Sequence, residues 1–151
     1  VQDARNRGYD EALLLNQQGN IAEGSGQNIF IIKDGKILTN GENASILMGI
    51  TRDSIIQISK ELKFPVKITD LTIEMLLNAD EAFFSGSATE ITPIATVDDA
   101  PIGNGKPGKI TLILSAIYTR IVHGKESQYN NWLTFIKAKS LKNEPILEDT
   151  E

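Results

Sequence analysis

The dipeptide Asp34-Gly35 constrains the fold of this chain more than any other short feature. It separates two apolar runs of strand-forming residues, Asn28–Lys33 and Lys36–Thr39. An Asp-Gly pair between two such runs is a strong signal for a tight hairpin, because both positions of the turn require positive φ angles. We therefore predict an antiparallel β-hairpin at residues 28–39.

A second hairpin is predicted directly upstream. Residues 11–16 are typical of a buried strand, residues 18–20 of a turn, and residues 21–23 of a strand that returns antiparallel. Residues 2–8 are typical of the end of a helix, with Gly8 as its C-terminal stop. The opening third is therefore predicted to be a β-meander.

Apolar residues at helical spacing predict two longer helices, one beginning at Thr51 and one ending before Gly124. A shorter helix is predicted between Asp70 and Asn78. Strands are predicted at residues 66–68, 81–84 and 92–97, and a surface loop at residues 100–108. The fold class is therefore a mixed α+β class with hairpins, and not a doubly wound parallel sheet.

Composition excludes several classes of function. The net charge of -5 makes nucleic acid or an anionic membrane an unsuitable main partner. The chain has no cysteine and a single histidine, His123, so we expect no disulfide, no thiol nucleophile and no metal site. No apolar run reaches the roughly 18 residues that span a bilayer. Because the chain starts at Val1 without an initiator Met or a signal peptide, we expect it to begin within a longer sequence.

Three glycine-containing loops carry the candidate chemistry. They lie at residues 23–26, 47–51 and 85–89. In the first, Glu23 lies between apolar residues and two glycines, a setting that suits a carboxylate bound to a cationic ring nitrogen. The alternative is a surface glutamate on a hairpin.

The second and third loops also have two interpretations each. Gly49 and Thr51 open a helix, whose N-terminus binds phosphate through its free N–H groups, although Thr51 alternatively only caps the helix. Residues 85–89 alternatively form a tight turn and nothing else. We expect His123 to cap a helix end or to be solvated. The aromatic side chains of Trp132, Phe83 and Phe84 are expected in the core.

Taken together, the loops and their flanks occur in a specific order: residues 8–16, 23–30, 49–53 and 85–93. This order closely resembles the C-terminal, larger domain of the branched-chain amino acid aminotransferases, which are class IV (fold type IV) pyridoxal-phosphate enzymes. The resemblance covers about residues 4–135. It implies a β-rich pseudo-barrel of antiparallel and mixed strands with flanking helices, formed by a cofactor-binding domain at residues 1–136 and followed by a polar tail at residues 137–151.

The resemblance also implies a role for each matching residue. Glu23 is similar to the carboxylate that pairs with the protonated pyridine nitrogen of pyridoxal 5'-phosphate, which makes the cofactor a better electron sink. Leu47 matches the side chain that packs against the cofactor ring. The remaining cofactor-binding residues are Gly49, Ile50, Thr51, Gly86 and Ser87, and the substrate carboxylate is received by Ser87 and Ala88. Ser87 departs from the Thr that the family often has, but either hydroxyl can donate.

No catalytic residue matches within the chain. In the family, the lysine that forms the Schiff base lies upstream of the segment that matches residues 4–9, and so upstream of Val1. The lysines at positions 33, 36, 60 and 109 lie in contexts that do not match. We therefore expect the 151-residue chain alone to have no transaminase activity and to bind pyridoxal phosphate weakly.

The implied activity of the intact enzyme is transfer of the amino group between leucine, isoleucine or valine and 2-oxoglutarate, in branched-chain amino acid biosynthesis. The family also implies a cytoplasmic homodimer or higher homo-oligomer. Two alternatives of the same fold are a D-amino-acid aminotransferase and an aminodeoxychorismate lyase, which a substrate panel would separate. An alternative of another class is a noncatalytic binding domain, which a true absence of the upstream lysine would favour.

Overall fold

The computed structural model describes residues 1–136, so the predicted polar tail at residues 137–151 lies outside the described part of the chain. The α-helices are α1 Gln2–Asn6, α2 Ile50–Glu61, α3 Ile73–Leu77 and α4 Lys109–Val122, and 3-10 helices lie at Glu42–Ala44 and Ser127–Trp132. The strands are β1 Leu13–Leu15, β2 Ile21–Gly24, β3 Asn28–Lys33, β4 Lys36–Thr39, β5 Val66–Ile68, β6 Glu81–Gly86, β7 Glu90–Pro93, β8 Thr96–Val97 and β9 Ala100–Pro101. The predicted mixed α+β class with flanking helices is confirmed.

The Asp34-Gly35 hairpin forms as predicted. β3 and β4 pair antiparallel, with Lys33 opposite Lys36 at the turn. Asp34 and Gly35 have φ angles of 48° and 71°, which are the two positive values that a tight primed turn requires. This hairpin forms the middle of the largest sheet.

That sheet has the strand order β5-β4-β3-β6-β7. Its neighbouring strands are antiparallel except for β4 and β5, which are parallel because the α2 crossover returns the chain to the same edge. β3 therefore pairs on one side with its hairpin partner and on the other with β6, about fifty residues later in the chain.

The predicted meander is interrupted. β1 and β2 pair antiparallel, but they form a separate two-stranded sheet, and β2 and β3 belong to different sheets. β1 is also shorter and more exposed than the buried strand predicted at residues 11–16, with Leu14 42% and Leu15 52% exposed. Its apolar run is typical of a core strand, but Leu14 and Leu15, which point to opposite faces of β1, are both exposed among the described residues.

The main sheet is buried on both faces. In β3, Ile29 and Ile31 face a cluster completed by β2 and α3, whereas Phe30 and Ile32 face a cluster completed by α2 and α4. Phe30 stacks on Phe83 of β6 with ring centroids 4.8 Å apart. The alternation of side chains along a strand explains this division, and it makes β3 the centre of the molecule.

The remaining differences between the predicted and the observed elements are local. The predicted strand at residues 92–97 is divided between β7 and β8, and the predicted surface loop at residues 100–108 contains β9 and the buried side chain of Ile102. Within residues 1–136, no helix has the length and apolar character needed to cross a membrane.

Candidate functional site

Glu23 lies in β2, at the point where the chain leaves the two-stranded sheet. Its side chain is half-buried. Its Oε2 atom accepts hydrogen bonds from the backbone N–H of Leu47 at 3.2 Å and from the side-chain amide of Asn28 at 3.5 Å. Its Oε1 atom accepts none from residues 1–136. The carboxylate is therefore fixed by one oxygen and presents the other.

Asn28 joins the first and second glycine loops. It is the first residue of β3 and is 5% exposed. Besides its contact with Glu23, its amide donates to the carbonyl of Leu47 at 2.7 Å. A Cβ atom added at Gly49 would lie 2.5 Å from Asn28 Oδ1, so only glycine lets the second loop approach this closely.

The second loop opens directly onto α2. Gly49 is the N-cap residue and has no side-chain capping bond, so the first N–H groups of α2 are available to a ligand. Leu47 and Ile50 are 77% and 78% exposed, and they border this helix end with apolar surface. An exposed helix N-terminus with an apolar rim is able to bind an anion that is attached to an apolar ring.

Thr51 does not cap α2, so the capping role that the sequence left open as an alternative is excluded. It is the second residue of the helix, and its hydroxyl lies 3.3 Å from the hydroxyl of Tyr118 on α4. Thr51 is also buried at 4% exposure, although a capping or surface threonine is normally solvated. Its hydroxyl is therefore held by tertiary structure and not by its own helix.

The third loop is the turn between β6 and β7. Ser85 in β6 lies opposite Asn28 in the antiparallel register, so this turn begins beside the first loop. A Cβ atom at Gly86 would lie 3.2 Å from the carbonyl oxygen of Gly26. Ser87 and Ala88 at the tip are exposed. All three glycine loops thus converge at one end of β3.

Glu11 holds the first loop from the outside. Its Oε2 atom accepts hydrogen bonds from Ser25 Oγ and Gln27 Nε2, each at 2.9 Å, and its Oε1 atom accepts the N–H of Ala12 at 2.7 Å. Burial alone would raise the pKa of Glu11, but these hydrogen bonds to the carboxylate outweigh it and lower the pKa below its ordinary value. The ionised Glu11 therefore clamps the loop that follows Glu23.

A buried arginine connects the start of α2 with the strand that carries Glu23. Arg52 is 2% exposed, and its Nη2 donates to the carbonyl of Asn40. The side-chain amide of Asn40 in turn donates to the carbonyl of Ile21 at 2.8 Å and to that of Ala22. Burial lowers the pKa of Arg52, and its Nε atom has no partner within residues 1–136. This network ties the two ends of the site together.

Sequence reasoning missed Arg52, Asn40 and Tyr118, although helical spacing contained a signal for two of them. Arg52 lies three residues before Ile55 and therefore on the buried face of α2. Tyr118 lies four residues after Leu114 and therefore on the buried face of α4. A polar side chain on an apolar helix face indicates a buried partner.

The residues expected to be structural are so. Phe83 and Phe84 are buried, and Trp132 packs half-buried against the core cluster. His123 is exposed, and its Nδ1 atom lies 2.7 Å from the carbonyl oxygen of Thr119 near the end of α4. Phe84 also borders the first loop, because a Cβ atom added at Gly24 would lie 3.0 Å from its ring.

Comparison with known proteins gives a consistent picture. Residues 1–97 match the family model described as amino-transferase class IV. A probable branched-chain-amino-acid aminotransferase of Aquifex aeolicus is 48% identical over 133 residues, which are 87% of this chain and 43% of the relative. The chain thus spans less than half the length of the curated relatives that it matches.

Solved structures show the same likeness. A branched-chain aminotransferase of the archaeon Thermoproteus uzoniensis with norvaline has a TM-score of 0.85 and 47% identity, and the match covers 88% of this chain and 44% of that one. A branched-chain amino acid aminotransferase of Thermobaculum terrenum in its PLP-form (holo-form) has a TM-score of 0.85 and 41% identity, over 88% of this chain and 44% of that one.

Proposed function

The chain belongs to the class IV aminotransferases, and we propose that it supplies the cofactor-binding domain, residues 1–136, of an enzyme that transfers amino groups between branched-chain L-amino acids and 2-oxoglutarate. The observation that carries this proposal is the convergence of Glu23, the start of α2 and the β6–β7 turn that contains Ser87 (the Ser87 turn) at one end of β3. The identities above 40% to branched-chain aminotransferases support the choice of substrate.

The residues present fit pyridoxal 5'-phosphate. The glycine at position 49 lets the start of α2 pack directly on Asn28, where a Cβ atom would clash, and the N–H groups of α2 with the hydroxyl of Thr51 are donors suited to a phosphate. The free oxygen of Glu23 is an acceptor suited to a protonated ring nitrogen. We assign Leu47, Gly49, Ile50, Thr51, Gly86 and Ser87, together with Glu23, to cofactor binding, and Ser87 and Ala88 to the substrate carboxylate.

When bound, the cofactor would supply an electron sink for the charge that develops at the substrate Cα. Glu23 would hold the proton on the ring nitrogen, because an ionised carboxylate beside that atom favours its protonated form. Leu47 and Ile50 would exclude water from the cofactor, since their exposed side chains border the helix end. Ser87 and Ala88 would orient the substrate by its carboxylate.

We propose that the base at the substrate Cα comes from outside the residues described. Lys33, one of the two lysines that flank the main hairpin turn, is ion-paired with Asp80 at 2.9 Å at the far end of β3 from the site. The relatives are more than twice as long as the match, which supports a base and a remaining part of the substrate pocket supplied by sequence beyond the match. We also propose a cytoplasmic location and a homodimer or higher homo-oligomer, and sedimentation of the full-length protein would test the oligomeric state.

The test is a substrate panel on the full-length protein that carries this chain. We expect turnover of leucine, isoleucine and valine with 2-oxoglutarate, and a fall in kcat on the order of 100-fold for Glu23→Gln, because that amide cannot hold the ring proton electrostatically. Glu42→Gln, an exposed glutamate outside the loops, is the matched control. Preference for D-alanine, elimination from aminodeoxychorismate, or cofactor binding without any turnover would each overturn the proposal in favour of a different function.

A further inference from the structure

Tyr118, on α4, contacts Thr51, the second residue of α2. Its phenol oxygen lies 3.3 Å from Thr51 Oγ1. Within residues 1–136, neither hydroxyl forms another side-chain hydrogen bond. Thr51 is 4% exposed, so water competes little for the contact. The pairing therefore governs where the hydroxyl proton of Thr51 points.

A pair of hydroxyl groups can be arranged in two ways. When Thr51 donates to Tyr118, its proton is used and only lone pairs remain for a ligand. When Tyr118 donates to Thr51, the proton of Thr51 is free to point elsewhere. A phenol is the more acidic of the two groups and hence the better donor, and an anion at the start of α2 favours the second arrangement electrostatically.

The surroundings hold the phenol in place for this arrangement. Tyr118 is partly buried and packs against the buried cluster that contains Leu114 and Ile121 of its own helix, which restricts the motion of its ring. The neighbouring Thr119 donates to Glu90 Oε2 at 3.3 Å, directly after the Ser87 turn. α4 therefore contacts both the α2 start and the β6–β7 turn.

Charge at the same helical turn favours an anion. Arg52, the next residue after Thr51, is a buried cation that forms no salt bridge within residues 1–136. The helix N-terminus adds partial positive charge of its own. If the Thr51 proton points outward, it adds one donor to the N–H groups at the start of α2. If the Thr51 lone pairs point outward, they repel the anion.

We propose that Tyr118 is a positioning residue for the anion site: it donates to Thr51 Oγ1 and thereby directs the Thr51 proton to a phosphate group bound at the start of α2. This rests on the proposed function, because the phosphate is that of the cofactor. Tyr118 acts through Thr51 and does not touch the cofactor. Its hydroxyl therefore affects the affinity for ligands that carry a phosphate and does not affect the affinity for phosphate-free analogues.

The experiment measures binding of pyridoxamine 5'-phosphate and pyridoxamine to the full-length apoenzyme by calorimetry. Tyr118→Phe removes one hydrogen bond, so we expect it to weaken the binding of pyridoxamine 5'-phosphate about fivefold to tenfold and to leave the binding of pyridoxamine unchanged. In a Thr51→Val background, Tyr118→Phe should have no further effect, because the group through which it acts is gone. The ³¹P chemical shift of the bound phosphate should move in both single variants.

Tyr129→Phe is the matched control, because it removes the hydroxyl of a buried tyrosine that lies on the 3-10 helix away from the loops. It should leave both affinities unchanged. Equal weakening of both ligands by Tyr118→Phe, or additive effects of the two substitutions, would overturn the inference, since either shows a merely structural role. If Thr51→Val itself leaves pyridoxamine 5'-phosphate binding intact, the proposed phosphate site is wrong, which is a separate failure.

Discussion

At the scale of single residues, the site depends on side chains that hold backbone loops in place. Asn28 and Glu23 both contact the backbone of Leu47, and Glu11 contacts the loop that follows Glu23. These contacts fix the position of N–H groups and carbonyls and not only of side chains. The chemistry of the site therefore depends on small and amide residues as much as on its carboxylate.

Gly49 offers the sharpest test of this dependence. In Gly49→Ala the new Cβ would lie 2.5 Å from Asn28 Oδ1, so the amide must turn away and lose its hydrogen bond to Leu47. We expect cofactor affinity to fall about tenfold, which corresponds to the loss of about one hydrogen bond. Calorimetry with pyridoxamine 5'-phosphate measures this effect.

Gly26→Ala is the control for that change. A Cβ atom at Gly26 would meet no atom within 4 Å, although this glycine lies in the loop beside Gly86. We expect the affinity of the Gly26→Ala variant for pyridoxamine 5'-phosphate to remain at the wild-type value. An equal loss in both variants would show that loop flexibility, and not the Asn28 contact, governs binding.

At the scale of elements, α4 is capped by a strand of the main sheet. Glu81 in β6 accepts the N–H groups of Ile110 at 3.0 Å and of Thr111 at 2.8 Å, both in the first turn of α4. Glu81→Ala should lower the free energy of unfolding by about 1–2 kcal/mol, because both N–H groups lose their partner. Urea denaturation measures the difference, and Glu42→Ala, an exposed glutamate, should change it little.

Tyr129, in the 3-10 helix at Ser127–Trp132, makes the free energy of unfolding depend on pH in the alkaline range. Burial, followed by the hydrogen bond that Tyr129 donates to Glu61, raises the pKa of Tyr129 to about 12. The unfolded chain releases this proton at a lower pH than the folded chain, so Tyr129 stabilises the fold fully below the ordinary tyrosine pKa. That contribution falls as the pH rises toward 12.

Alkaline unfolding measured by circular dichroism checks this dependence. The free energy of unfolding of the wild type should fall more steeply than that of Tyr129→Phe across this alkaline range. Parallel curves for the two proteins would show that the phenol of Tyr129 titrates equally in the folded and unfolded chain.

At the scale of the whole molecule, stability depends on a sheet that is buried on both faces. Leu114 lies at 0% exposure in the cluster between the sheet and α4, whereas Leu112 of the same helix is 55% exposed. Leu114→Ala should lower the free energy of unfolding by about 2–5 kcal/mol through the cavity that it leaves. Leu112→Ala should change it by less than about 0.5 kcal/mol in the same denaturation assay.

The parts of the fold that sequence predicted are those set by local chemistry. The Asp34-Gly35 turn requires positive φ angles, and so β3 and β4 were predicted with their observed bounds. The position of β6 beside β3 was not predicted, because a pairing between residues about fifty apart leaves no local pattern. The same reason applies to the Tyr118 contact with Thr51, which joins two helices.

The candidate site shows the same division. The three glycine loops were visible in the sequence because glycine marks close approach of backbone. Asn40 and Arg52 were not recognised, since a buried polar pair is defined by partners that only the folded chain provides. Spacing within α2 would have placed Arg52 on the inner face, but not against Asn40.

The register between β3 and β6 has a consequence for folding order. Asn28 meets Ser85 only when this long-range pair is aligned, and a slip of one residue would turn their side chains to opposite faces of the sheet. The loops therefore come together only after the slowest kind of contact, one between distant parts of the chain, has formed. A ligand bound between them would select correctly paired molecules and would withdraw them from the pool that misfolds.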